Sequence, residues 1–80
     1  AESGEGYSDI LIRIDSVSVG IVIEIKYSES RDLESACDQA LLQIEEKNYA
    51  EQLLEDDMTT ILKYGIACRR KNCMVKMADS

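Results

Sequence analysis

The 80-residue sequence predicts an α/β (α+β) protein, a small sheet with helices packed mainly on one face, on three observations. Residues 7–14 and 19–27 carry strand patterning, residues 33–47 repeat apolar side chains at helical spacing, and residues 60–68 and 73–77 return to strand character. The predicted order is β-β-α-(α)-β-β, with strands and helices sharing one core.

In the first strand Ile10, Ile12 and Ile14 alternate with Asp9, Leu11 and Arg13, a period of two. Asp15, Ser16 and Ser18 supply a turn. Residues 19–27 are rich in β-branched side chains and apolar on both faces, which predicts a central strand forming a hairpin with the first. Ser28 and Ser30 offer capping hydroxyls, and Ser30 with Leu33 and Glu34 downstream marks a helix start. Leu33, Ala36, Cys37, Ala40 and Ile44 then predict an amphipathic helix to about Lys47. Asn48 bends or breaks it, and residues 49–55 form a second, shorter helix with Leu53 and Leu54 facing inward. Residues 60–68 read as a strand, and 73–77 as its hairpin partner around Arg69, Arg70, Lys71 and Asn72. There is no internal repeat, no low-complexity linker and no proline.

The length fits one domain over residues 1–80, which buries roughly 60% of its unfolded surface and so keeps a thin stability margin. A composition of 45% hydrophobic and 31% charged residues is that of a globular chain rather than a disordered tail. The longest apolar run, 19–25, is interrupted by Gly20 and Glu24 and falls short of the ~20 residues of a membrane helix. Glu2 and Glu5 stand where a signal peptide carries basic residues, so no membrane association and a cytoplasmic location are expected. The chain opens on Ala1 without a methionine, which suggests a fragment of a longer protein or a processed product. The net charge of −7 argues against broad, nonspecific binding to a phosphate backbone, although active-site carboxylates can coexist with a local basic patch. Cys37, Cys68 and Cys73 come without a CxxC or a histidine, which argues against zinc and for free thiols. Cys68 and Cys73 could face each other across a hairpin, but burial is the preferred reading.

The chemistry concentrates in the first hairpin. With Ile14 opposite Val19, paired positions place Asp9 directly opposite Glu24 on one face, with Cβ atoms about 4.5–5.5 Å apart. Lys26, two residues beyond Glu24, projects from the same face. Facing carboxylates repel and destabilise a sheet unless a divalent cation reverses the sign. Magnesium, which takes one or two carboxylates and keeps several waters, suits the arrangement. Lys26 could then orient an attacking water and balance developing negative charge. A strand Glu-x-Lys is commonly only a solvated ion pair. Here Glu24 interrupts an apolar run, where a charge is costly without a partner, and Asp9 stands in matching register.

Gly6-x-x-Asp9 followed by Glu24-x-Lys26 resembles the bipartite signature of the PD-(D/E)XK nuclease superfamily. Downstream, Ala40, Gln43, Ile44, Lys47 and Tyr49, with Tyr64, Gly65 and Ala67, resemble one branch of it, the nuclease-like domain at the C-terminus of bacterial AAA-ATPase-like proteins. The resemblance spans Glu2 to Val75 and implies a restriction-endonuclease-like core with a central mixed sheet. It implies that Asp9 and Glu24 bind Mg²⁺ or Mn²⁺ with the Ile25 carbonyl as a further ligand, that Lys26 positions the hydrolytic water, and that Gln43 approaches from the helix. By the helical wheel alone Gln43 is a boundary polar residue, able to lean toward the sheet, and Tyr49 reads equally as core or site. Arg69, Arg70 and Lys71 form the one basic cluster available to a phosphate and otherwise read as a solvated turn. The family core usually carries a helix and a strand before the Asp-bearing strand, for which only residues 1–5 remain, so truncated N-terminal elements are expected.

Two functions follow as expectations. The first is metal-dependent hydrolysis of phosphodiester bonds in nucleic acid, DNA in the first instance. The second is a noncatalytic binding or assembly module attached to an upstream ATPase-like domain. An uncovered apolar face or unpaired sheet edge predicts a homodimer.

Overall fold

The structure is a computed structural model that describes residues 6–78; the expectation of truncated N-terminal elements concerns residues 1–5, which lie outside the described ones. Strand β1 (Gly6–Ile14) and strand β2 (Val19–Tyr27) pair antiparallel, with Ile14 opposite Val19 and Asp9 opposite Glu24, the register expected for a hairpin closed between Ile14 and Val19. A single 3-10 turn, Asp15–Val17, and Ser18 in the left-handed region (φ 55°) reverse the chain. Helix α1 (Leu33–Glu46) and helix α2 (Tyr49–Glu55) lead to strand β3 (Thr60–Arg69) and strand β4 (Asn72–Met77). The sheet order is β1-β2-β3-β4, with β2 and β3 parallel and β3 and β4 antiparallel. The two helices form the crossover that a parallel pair requires. The mixed sheet and element order match the restriction-endonuclease-like core.

Both helices pack on the same face. Gly20, Val22, Glu24 and Lys26 of β2 and Gly65 and Ala67 of β3 are buried there. One core cluster joins Val22, Ile44, Leu53 and Met58, and a second joins Ala36, Cys37 and Ala67. Helix α1 approaches β3 closely because Gly65 has no side chain: a Cβ there would stand 2.6 Å from the Cys37 carbonyl oxygen. Gly65 is the β3 neighbour of Glu24, so this close approach also brings the helix over the carboxylate.

Three expectations need correction. Asp32, not Ser30, caps α1: its Oδ1 accepts the Ser35 N–H at 3.0 Å, while Ser30 Oγ accepts the Asp32 N–H one turn earlier. Leu53 is fully buried but Leu54 is 54% exposed, since neighbouring helical residues are turned about 100° apart and cannot share one narrow apolar stripe. Cys37 is buried, but Cys68 and Cys73 are not. They occupy paired positions on β3 and β4, Sγ to Sγ 2.8 Å, on the face turned away from the helices.

That second face is apolar. Ile10, Ile12 and Ile14 of β1, Ile21, Ile23 and Ile25 of β2, Leu62, Tyr64 and Ile66 of β3, and Val75 and Met77 of β4 project from it by strand alternation. Ile10, Val75 and Met77 remain about half exposed, and among the described residues no helix covers them. No helix among the described residues is long and apolar enough to cross a membrane.

Candidate active site

Asp9 and Glu24 differ sharply in setting. Asp9, on edge strand β1, has a side chain 36% exposed, whereas that of Glu24 on central β2 is wholly inaccessible. Glu24 falls along β2 between Val22 of one core cluster and Lys26, whose β3 partner Ala67 belongs to the other. Burial therefore raises the Glu24 carboxyl above its ordinary range, with Lys47 opposing and Asp9 adding to the rise. Asp9 moves the other way: the Tyr49 hydroxyl donates to its Oδ2 and holds its pKa down, overcoming partial burial, with help from Lys47.

One lysine meets both carboxylates, and a second lies on the same face of the sheet. Lys47 Nζ donates to Asp9 Oδ2 and to Glu24 Oε2, both at 3.3 Å. Partial burial works against its charge, but the hydrogen bonds to the carboxylates prevail and its pKa is raised. Lys26 is 8% exposed. Its Nζ lies 3.4 Å from the Tyr7 hydroxyl and 4.7 Å from the centre of the Tyr7 ring, a cation–π contact between paired positions of β1 and β2. Lys26 also lines an open cleft of about 150 Å³ with Ser28, Ser30, Asp32, Ser35, Ala36 and Gln39.

The break between the helices positions Lys47 and Tyr49. Lys47 ends α1, and Asn48 takes a left-handed conformation (φ 58°) that restarts the chain as α2; asparagine tolerates this better than most residues. Gln43 sits one turn before Lys47 on the same face of α1, half-buried, and makes no side-chain hydrogen bond among the described residues. Ile25 lies between Glu24 and Lys26, paired with Ser8 and Ile66. The turn carrying Arg70 and Lys71 lies at the β3–β4 end of the sheet, two strands from β1. The sequence pattern gave no role to Tyr7 or Lys47. The same register that pairs Asp9 with Glu24 pairs Tyr7 with Lys26, and Lys47 lies four residues, about one helical turn, beyond Gln43.

The donor set suits a hard divalent ion. Glu24 Oε1 is buried without a hydrogen-bond partner, a position that a buried carboxylate oxygen leaves open only at a cost unless a donor or cation meets it. Among the described residues no three His, Cys, Asp or Glu side chains gather in one group. A metal here would rest on Asp9, Glu24, a main-chain carbonyl and waters, as Mg²⁺ accepts.

The mixed sheet thus carries opposed carboxylates with a lysine two residues on. The family model described as the PD-(D/E)XK nuclease superfamily matches residues 1–78, and the chain belongs to that superfamily. Its members typically use divalent metals. No curated protein and no solved structure matches the chain.

Proposed function

We propose that the chain is a Mg²⁺- or Mn²⁺-dependent nuclease domain that hydrolyses phosphodiester bonds of nucleic acid, DNA in the first instance. The observation that carries this reading is the fully buried Glu24, its Oε1 unpartnered, opposite Asp9 in a chain of this superfamily. Asp9, Glu24 and the Ile25 carbonyl would hold the ion, which would supply Lewis-acid polarisation of the phosphodiester when bound. Tyr49 fixes Asp9 by donating to its Oδ2. Lys26, at the cleft wall, orients the hydrolytic water and balances the negative charge that develops on the phosphoryl oxygens. Gln43 faces the nucleic acid from α1. Cleavage of single- and double-stranded DNA and RNA in Mn²⁺, wild type against Lys26→Ala, tests the reading. The wild type cleaves at least one substrate and the variant does not; equal rates for the two proteins overturn it.

A second reading is favoured by the apolar sheet face. An assembly module, joined to an ATPase-like domain or to a second copy, would cover Ile10, Ile12, Val75 and Met77, which the helices leave open. It accounts for that face and for the net charge of −7, but it offers no reason for a carboxylate in the core.

A further inference from the structure

We propose that Lys47 is the built-in counter-ion of the carboxylate pair, that a divalent ion must displace it, and that Lys47 thereby sets the metal affinity of the site. The proposal rests on the metal-site reading above. Its ground is the position of one nitrogen, 3.3 Å from Asp9 Oδ2 and 3.3 Å from Glu24 Oε2, bridging the two groups that an ion would bridge. Glu24 is inaccessible to water, so without some cation its charge would face that of Asp9 uncompensated. Lys47 supplies that cation.

The geometry also marks Lys47 as displaceable. Both contacts are longer than the 2.7–2.9 Å of strong charge-assisted bonds. The Lys47 side chain is itself 36% exposed. It sits at the last turn of α1, just before the left-handed Asn48, so rotation about its own bonds carries the ammonium into solvent without moving a strand. The rings of Tyr7 and Tyr49, 6.0 Å and 5.8 Å from Nζ, flank the nitrogen where it stands. Lys26, by contrast, is buried against Tyr7. Two lysines thus divide the work: one stays in the sheet, and one exchanges with the ion.

Calorimetric titration of the whole 80-residue chain with Mn²⁺ alone tests this on wild type, Lys47→Met, Lys47→Gln and Lys47→Arg. Removing two partly screened charge pairs tightens Mn²⁺ binding by about tenfold in Lys47→Met. Lys47→Gln, which keeps a hydrogen-bond donor without the charge, follows the same direction and serves where Met disturbs the fold. Lys47→Arg stays within about threefold of wild type, since the competing charge remains. Uncoupled from metal, Lys47→Met also melts below the wild type and gains more from saturating Mn²⁺. Unchanged or weaker binding in both neutral variants overturns the role of Lys47 while leaving the metal site standing. Absence of Mn²⁺ binding in every protein overturns the site and this inference together.

Discussion

Gly65→Ala is the sharpest probe of how the fold brings α1 to the site. A Cβ at this position would lie 2.6 Å from the Cys37 carbonyl oxygen and 2.9 Å from Leu41 Cγ. The first of these is backbone, so no side-chain rotation relieves it, and α1 must retreat by about 0.8 Å to restore an ordinary 3.4 Å contact. Overpacking of this kind costs about 1–3 kcal/mol. Replacing a strand glycine returns about 0.5–1 kcal/mol through the unfolded chain. The net loss is about 1–2 kcal/mol, or roughly 5–15 °C in melting temperature for a domain of this size. Gly20→Ala is the internal control. The atoms nearest its Cβ would be those of the Leu53 side chain, Cδ1 at 2.8 Å and Cβ at 3.2 Å, and part of that clash relaxes by rotation. Thermal melts followed by circular dichroism should rank wild type above Gly20→Ala above Gly65→Ala. A Gly65→Ala protein as stable as the wild type would refute the packing argument.

Three further outcomes are expected. Because burial raises the Glu24 pKa above its ordinary value of 4.5, the folded state holds that proton more tightly, and the group's contribution to stability is full below 4.5 and lost as pH rises through the folded value. The stability of the wild type minus that of Glu24→Gln, measured by denaturant melts in chelator, should therefore become more negative as pH rises above 4.5, and a value that becomes more positive contradicts it. The Cys68 thiol, pushed up to about 11 chiefly by its hydrogen bond with Cys73, should be alkylated roughly tenfold faster at pH 8 once Cys73 is replaced by Ala; an unchanged rate shows that the pairing does not govern its reactivity. If the apolar face joins two copies, sedimentation should find dimers at high concentration and monomers for Ile12→Lys, and a monomeric wild type counts against it.

The site was legible where local rules fix geometry. The short turn at Asp15 to Ser18 sets the hairpin register, alternation sets the faces, and together they put Asp9 against Glu24. Tyr7 opposite Lys26 follows from the same rule, but an aromatic residue carries no charge to draw notice. Lys47 is different in kind. Its reach to both carboxylates depends on where α1 stops, on the left-handed Asn48, and on the close approach that Gly65 permits, none of which periodicity expresses. The parallel pairing of β2 and β3 was likewise invisible to alternation, which reads faces and not partners; it was carried by the resemblance. The helix cap and Leu54 were misassigned by short-range choices between adjacent residues, where one position changes the face but hardly the pattern.

The central claim is that Asp9 and Glu24 form a divalent-ion site, and melting in the presence of metal tests it most directly. An ion bound only by the folded state stabilises it by about 2.7 kcal/mol at a hundredfold excess over its dissociation constant. Millimolar Mg²⁺ or Mn²⁺ should raise the melting temperature of the wild type. Asp9→Asn and Glu24→Gln should lose that response, and Lys26→Ala should keep it. A wild-type melting temperature indifferent to both ions would contradict the account.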